Sequence, residues 1–162
     1  MSSRPFVYYL RTRYNECDAQ KVVFNARYGD YTDVAIAEFF RALGYGQQMV
    51  NGDFDVQVVK QTTQWRAPAR YDDVLAVSVE TKHIGNTSFT LATEFRLAGQ
   101  DNAIAISETV YEHVDHRTLQ KMPIPEALRQ ALQQGAVDVA VDHAGYLPSP
   151  LGEGRVRGSH LL

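Results

Sequence analysis

The chain has 162 residues, the size of one domain, and 44% of them are apolar, enough for a packed core. Its 16 basic against 19 acidic residues give −3 with neutral histidine, which excludes a nucleic-acid binder held by bulk positive charge and an acidic disordered chain. A single cysteine, Cys17, excludes an intrachain disulfide and a thiolate metal cluster.

Met1 to Arg11 lacks the apolar run of a signal peptide, and no stretch approaches the roughly 18 apolar residues of a membrane span. A soluble, cytoplasmic protein is the expectation. Phe6 to Arg13 is predicted as a strand from its aromatic and β-branched content. Tyr14 to Asn25 is more polar, and Asn25 is placed to cap the element that follows. Between Ala26 and Leu43, Tyr28, Tyr31, Ala35, Phe39 and Leu43 recur at helical spacing, with Gly44 at the expected stop. Four strand candidates follow: Val56 to Arg66, Val74 to His83, Phe89 to Leu97 and Ile104 to Val114. The third alternates most cleanly, and Thr93 alone interrupts its apolar face. Pro125 to Gln134 is predicted as a short helix beginning at a proline. Residues 145–162 hold four of the 11 glycines and two of the six prolines, so one domain over 1–144 and a flexible tail over 145–162 are expected.

One long helix followed by clustered strands predicts an α+β fold with an antiparallel sheet, the helix packed on one face. Sheet edges left open in such a chain favour a homo-oligomer.

The segment from Tyr14 to Tyr28 carries the most chemistry. It places Asp18 in a loop seven residues before a helix start. A helix start offers unpaired N–H groups and partial positive charge, suited to a developing oxyanion. A carboxylate beside it can act as general base or nucleophile. From the residues alone, a solvated or capping aspartate is the favoured reading of Asp18, because an aspartate before a helix is common.

The chain resembles the hotdog-fold acyl-CoA thioesterases, of the 4-hydroxybenzoyl-CoA and Tol-Pal-associated type. Three ordered matches carry the resemblance: Asp18-Ala-Gln-Lys-Val-Val-Phe24 with Tyr28, then Ala67-Pro-Ala-Arg-Tyr-Asp-Asp73-Val, then Gly85-Asn-Thr-Ser-Phe89. It implies a long central helix wrapped by a curved antiparallel sheet, assembled as a homodimer or homotetramer with sites at the subunit interface. It implies Asp18 as the catalytic carboxylate and Asn25 as the position whose N–H polarises the thioester carbonyl. It further implies substrate contacts from Tyr14, Phe24, Tyr28 and Ser88. The substrate is an acyl-CoA, hydrolysed to free acid and coenzyme A. Coenzyme A is then part of the substrate, and neither a cofactor nor a metal is implied.

Three departures stand out. Lys21 occupies a position usually held by glycine. Asn25 replaces the histidine of the Tol-Pal-type enzymes. The turn Gly85 to Ser88 lacks the basic cluster of the 4-hydroxybenzoyl enzymes, leaving Lys82, His83, Arg66 and Arg70 as candidates for phosphate contacts. Two other readings stay open. A dehydratase on the same fold needs a histidine paired with a carboxylate, and the matched Asp18 segment has none. A non-catalytic acyl-CoA-binding or interaction module needs no catalytic group. Cys17 reads as a small filler, and His113 with His116 as an unspecific pair. Asp33, on the predicted helix, reads equally as an orienting group or a solvated charge.

Overall fold

The computed structural model describes residues 2–148. Most of the predicted tail, residues 149–162, lies outside them. In chain order the elements are β1 (Phe6–Arg11), a 3-10 turn (Tyr14–Glu16), α1 (Arg27–Ala42), α2 (Gly46–Asn51), β2 (Val56–Trp65), β3 (Val74–Ile84), β4 (Ser88–Leu97), β5 (Ala103–His113), α3 (Glu126–Gln134) and β6 (Ala140–Asp142). The strands form one sheet in the order β2-β5-β4-β3-β1-β6. All pairings are antiparallel except that of β1 with β6.

α1 lies across the sheet because its apolar stripe needs cover. Tyr28, Tyr31, Ala35, Ile36, Phe39 and Phe40 are all buried. They meet the inward residues of alternate strand positions, including Val77, Phe89, Leu91 and Phe95. Edge-to-face aromatic contacts join the two layers: Tyr28 to Phe95 at 5.3 Å between ring centres and Phe40 to Phe89 at 6.0 Å. Thr93, the interruption in β4, is fully buried, and its hydroxyl donates to the Ser107 carbonyl at 3.3 Å. Each buried phenylalanine contributes about 1.5–3 kcal/mol.

The sheet curves around the helix at three register shifts, Val58/Lys60, Thr81/His83 and Phe95/Arg96; such bulges bend and twist a strand. This is the hotdog fold, as the sequence motifs implied.

The two edges differ. β2 pairs with β5 on one side, and most of its side chains are exposed. β6 covers the outer edge of β1 from Val7 to Tyr9. The segment after β6 is fastened down: Asp142 accepts from the N–H groups of Ala144, Tyr146 and Leu147 at 2.8–3.1 Å. Tyr146 also stacks on Tyr9. The beginning of the predicted flexible tail, Gly145 to Leu147, is therefore a built loop.

Candidate active site

The Asp18 loop is a tight hairpin. The Asp18 N–H donates to the Val22 carbonyl and the Lys21 N–H to the Asp18 carbonyl, both at 2.9 Å. Asp18 Oδ1 accepts from the Gln20 N–H at 2.8 Å. Closing this loop puts Lys21 at φ +64°, a left-handed conformation that glycine adopts freely and a lysine adopts at a cost. Val22 bridges Arg70, and the Val23 N–H donates to the Ala69 carbonyl at 2.8 Å, stitching the hairpin to residues 66–70.

Glu16 anchors the loop from behind. Its carboxylate is 3% exposed and accepts four hydrogen bonds: the Arg13 N–H at 2.8 Å, Arg13 Nε at 2.9 Å, Arg13 Nη2 at 2.7 Å and the Tyr31 hydroxyl at 2.8 Å. Its own carbonyl accepts from the Phe24 N–H. One residue thereby ties the hairpin, the chain entering α1 and the body of α1 together. Burial pushes its carboxyl up, but the bonds from Arg13 and Tyr31 outweigh that and hold it below the ordinary range.

Asn25 does not cap α1 with its side chain. The capping position is Ala26, already in helical conformation, and no side chain bonds there. Winding begins earlier, through i→i+3 bonds from Arg27 N–H to Phe24 O at 2.9 Å and Tyr28 N–H to Asn25 O at 3.3 Å. Those bonds engage the two carbonyls and leave the N–H groups of Asn25 and Ala26 without an acceptor among the described residues. They are the orphan donors of a helix start.

Asp18, Phe24, Asn25 and Tyr28 line one open depression of about 400 Å³, walled on its other side by Trp65, Arg66, Ala67 and Pro68. Phe24 and Trp65 are about half exposed, at 50% and 49%, whereas Tyr28 is buried beneath them. Burial pushes the Tyr28 phenol up, so its hydroxyl stays protonated. The depression thus brings Asp18 together with Asn25, whose N–H is free, among aromatic walls. Such a set can take a proton from water or attack a carbonyl, while N–H groups meet the oxygen that gains charge.

Two predicted contacts lie elsewhere in the protomer. Tyr14 is 79% exposed and packs edge-on against Tyr71, away from the depression. Ser88 opens β4 opposite Glu112, whereas the depression lies toward the Phe95 end of that strand, near Tyr28. Asp33 lines a separate hollow with Phe40, Phe54 and Tyr111, where burial, then Asp30, pushes its carboxyl up. Burial followed by the Glu16 and Asp18 charges pushes the Cys17 thiol up, away from the thiolate form. Lys82 is paired with Glu108. His113 is buried and directs Nδ1 at the carbonyls of Met122 and Pro123.

Sequence reading missed Trp65 and Glu16. Trp65 ends a strand just before the Ala67-Pro68 corner, so its placement beside the Asp18 loop depends on tertiary stitching. Glu16 carried one local signal, Arg13 three residues earlier.

Residues 12–132 match the thioesterase-like superfamily. The chain is 26% identical to the acyl-CoA thioester hydrolase YbgC of Escherichia coli over 135 residues, 83% of this chain and all of that one. A crystal structure of an Aquifex aeolicus protein superposes with a TM-score of 0.71 at 27% identity, covering 79% of this chain and 99% of that one. A gentisyl-coenzyme A thioesterase superposes at 0.70 with 24% identity, covering 78% and 98%, a likeness of fold.

Proposed function

The chain belongs to the thioesterase-like superfamily, and from that premise we propose that it hydrolyses acyl-CoA thioesters to a free acid and coenzyme A. The observation that carries this reading is the depression itself, lined by both Asp18 and Asn25, the latter with its N–H free of any acceptor among the described residues.

The thioester carbonyl oxygen points at the helix start and accepts from the Asn25 N–H. Asp18 takes a proton from water as the water oxygen attacks the carbonyl carbon. In the alternative course Asp18 attacks the carbonyl carbon, the C–S bond breaks to release coenzyme A thiolate, and water then opens the resulting mixed anhydride. In either course negative charge gathers on the carbonyl oxygen, where a preorganised donor is worth about 10²–10³ in rate. The tetrahedral centre collapses, the C–S bond breaks, and coenzyme A leaves as thiolate and takes up a proton. Both courses are complete with a carboxylate, main-chain donors and water, so coenzyme A enters only as part of the substrate. Phe24, Tyr28 and Trp65 favour an apolar or aromatic acyl group.

The assembly we propose is a homodimer, supported by β2. That strand is ten residues long and presents Val58, Val59 and Trp65 at 49–57% exposure along an open edge. No helix among the described residues is long and apolar enough to cross a membrane, and the cytoplasm is the compartment proposed.

The test is thiol release from short, medium, long and aromatic acyl-CoAs by the wild type and by Asp18→Asn. Removing a general base costs about 10²–10⁴ in kcat, and Asp18 is exposed, so folding should be retained. A loss under tenfold would remove Asp18 from the centre of the reaction. Binding of acyl-CoA without release of thiol, unaltered by Asp18→Asn, would make the chain a binding module instead.

A further inference from the structure

Three cations gather around the mouth of the depression, and none of them is engaged. Arg66 lines it directly. Lys21 precedes Val22, which also lines it, and Val22 is bridged to Arg70. All three side chains are exposed. Among the described residues, none lies within ion-pair distance of a carboxylate, whereas the neighbouring Arg11, Arg13 and Arg27 are paired with Asp72, Glu16 and Asp30. The main chain beneath the three is nevertheless firmly held. The Arg66 N–H donates to the Ile104 carbonyl at 2.7 Å. The Arg70 N–H donates to Asp73 Oδ2 at 2.8 Å, and the Arg70 carbonyl accepts from the buried Thr12 hydroxyl at 2.7 Å.

Lys21 adds a separate observation. Its φ of +64° is one that glycine would adopt without strain. The lysine side chain is therefore carried in this five-residue hairpin at a conformational cost. The carboxylate nearest in sequence, Asp18, is not its partner, since no ion pair joins them.

We propose that Lys21, Arg66 and Arg70 form the rim that holds the phosphates of the nucleotide half of coenzyme A. The inference rests on the thioesterase reading above. Guanidinium groups match phosphate oxygens in pairs, and an ammonium serves as a mobile point charge. With the acyl carbonyl at Asn25, the pantetheine arm leads out past Arg66, and the nucleotide phosphates fall on the outer face of the hairpin. The turn Gly85 to Ser88, at the far end of β4, has no basic residue to compete for them.

The experiment compares kcat/KM for benzoyl-CoA with that for benzoyl-pantetheine, which lacks the nucleotide. In the triple variant Lys21→Gln, Arg66→Gln, Arg70→Gln, the ratio of the two should fall at least tenfold through KM. In the wild type, added NaCl should raise KM for the coenzyme A ester and spare that for the pantetheine ester. Lys21→Gly gives opposite signs in one protein: a higher melting temperature and weaker binding of the coenzyme A ester. A ratio that moves less than twofold, together with a salt response shared by both esters, overturns the rim. If the wild type cleaves neither ester, the thioesterase reading fails instead. Calorimetry with coenzyme A then decides the rim, which requires wild-type binding weakened at least tenfold in the triple variant.

Discussion

Glu16→Gln tests the claim that one buried carboxylate holds the catalytic loop to the helix. Four hydrogen bonds converge on it. A glutamine oxygen can keep one or two of those donors, and its NH₂ then faces another donor. Bonds to a charged acceptor are worth about 1.5–3 kcal/mol each. The two from the Arg13 side chain come from a group that is 76% exposed, so together they are discounted to about 1 kcal/mol. Tyr31 is 4% exposed, and its stranded hydroxyl adds about 1–2 kcal/mol. The sum is a destabilisation of about 2–3 kcal/mol near neutral pH, or roughly 5–10 °C in Tm for a domain of this size. Urea unfolding at one fixed protein concentration measures it. The pH course carries the sign. The folded-state pKa of Glu16 is depressed, so its contribution is present above the unfolded carboxyl pKa, about 4.3, and is lost as pH falls through the folded value. Wild type and variant should therefore converge in acid. A gap under about 0.5 kcal/mol at pH 7, or one that widens as pH falls, would refute the anchoring role.

Two further outcomes follow from the same geometry. Asn25→Ala should lower kcat by less than about tenfold, because the main-chain N–H survives the change; stopped-flow thiol release would detect a larger loss, which would assign the work to the side chain. Light scattering should return twice the 18.2 kDa chain mass, and Val59→Asp, at 57% exposure on β2, should shift the population toward monomer. A wild type that stays monomeric at micromolar concentration would set aside the edge pairing.

What the sequence made legible follows from periodicity and from motif order. β4 alternates at period two, and its single polar inward residue, Thr93, pairs within the sheet instead of breaking it. α1 was visible in the spacing of Tyr28, Tyr31, Ala35 and Phe39. α2 and β6 were not, because six and three residues are too few for a period to register. Phe24, Asn25 and Tyr28 meet Asp18 through the local hairpin, which a contiguous motif records. Trp65 and Arg66 meet it through long-range stitching at Val22 and Val23, which leaves no local trace. The helix cap expected at Asn25 failed for a related reason. The main chain begins to wind at Phe24 because Glu16 holds the Phe24 N–H, a contact eight residues back.

β6 leaves the sheet with two unequal ends, one long and one blunted. A strand layer open at both ends is divalent, and each copy that joins presents a fresh end to the next, as in a fibril. Here the β1 end carries β6, only three residues long and followed by a loop pinned through Asp142 and Tyr146. In the homodimer proposed above a second copy takes the ten-residue β2 end, and each end then left outside is a three-residue β6 edge, a poor template for a further strand. Growth across the strands, in the hydrogen-bonding direction, is thereby disfavoured beyond the proposed pair, so a short segment far from the chemistry separates a closed assembly from an open polymer.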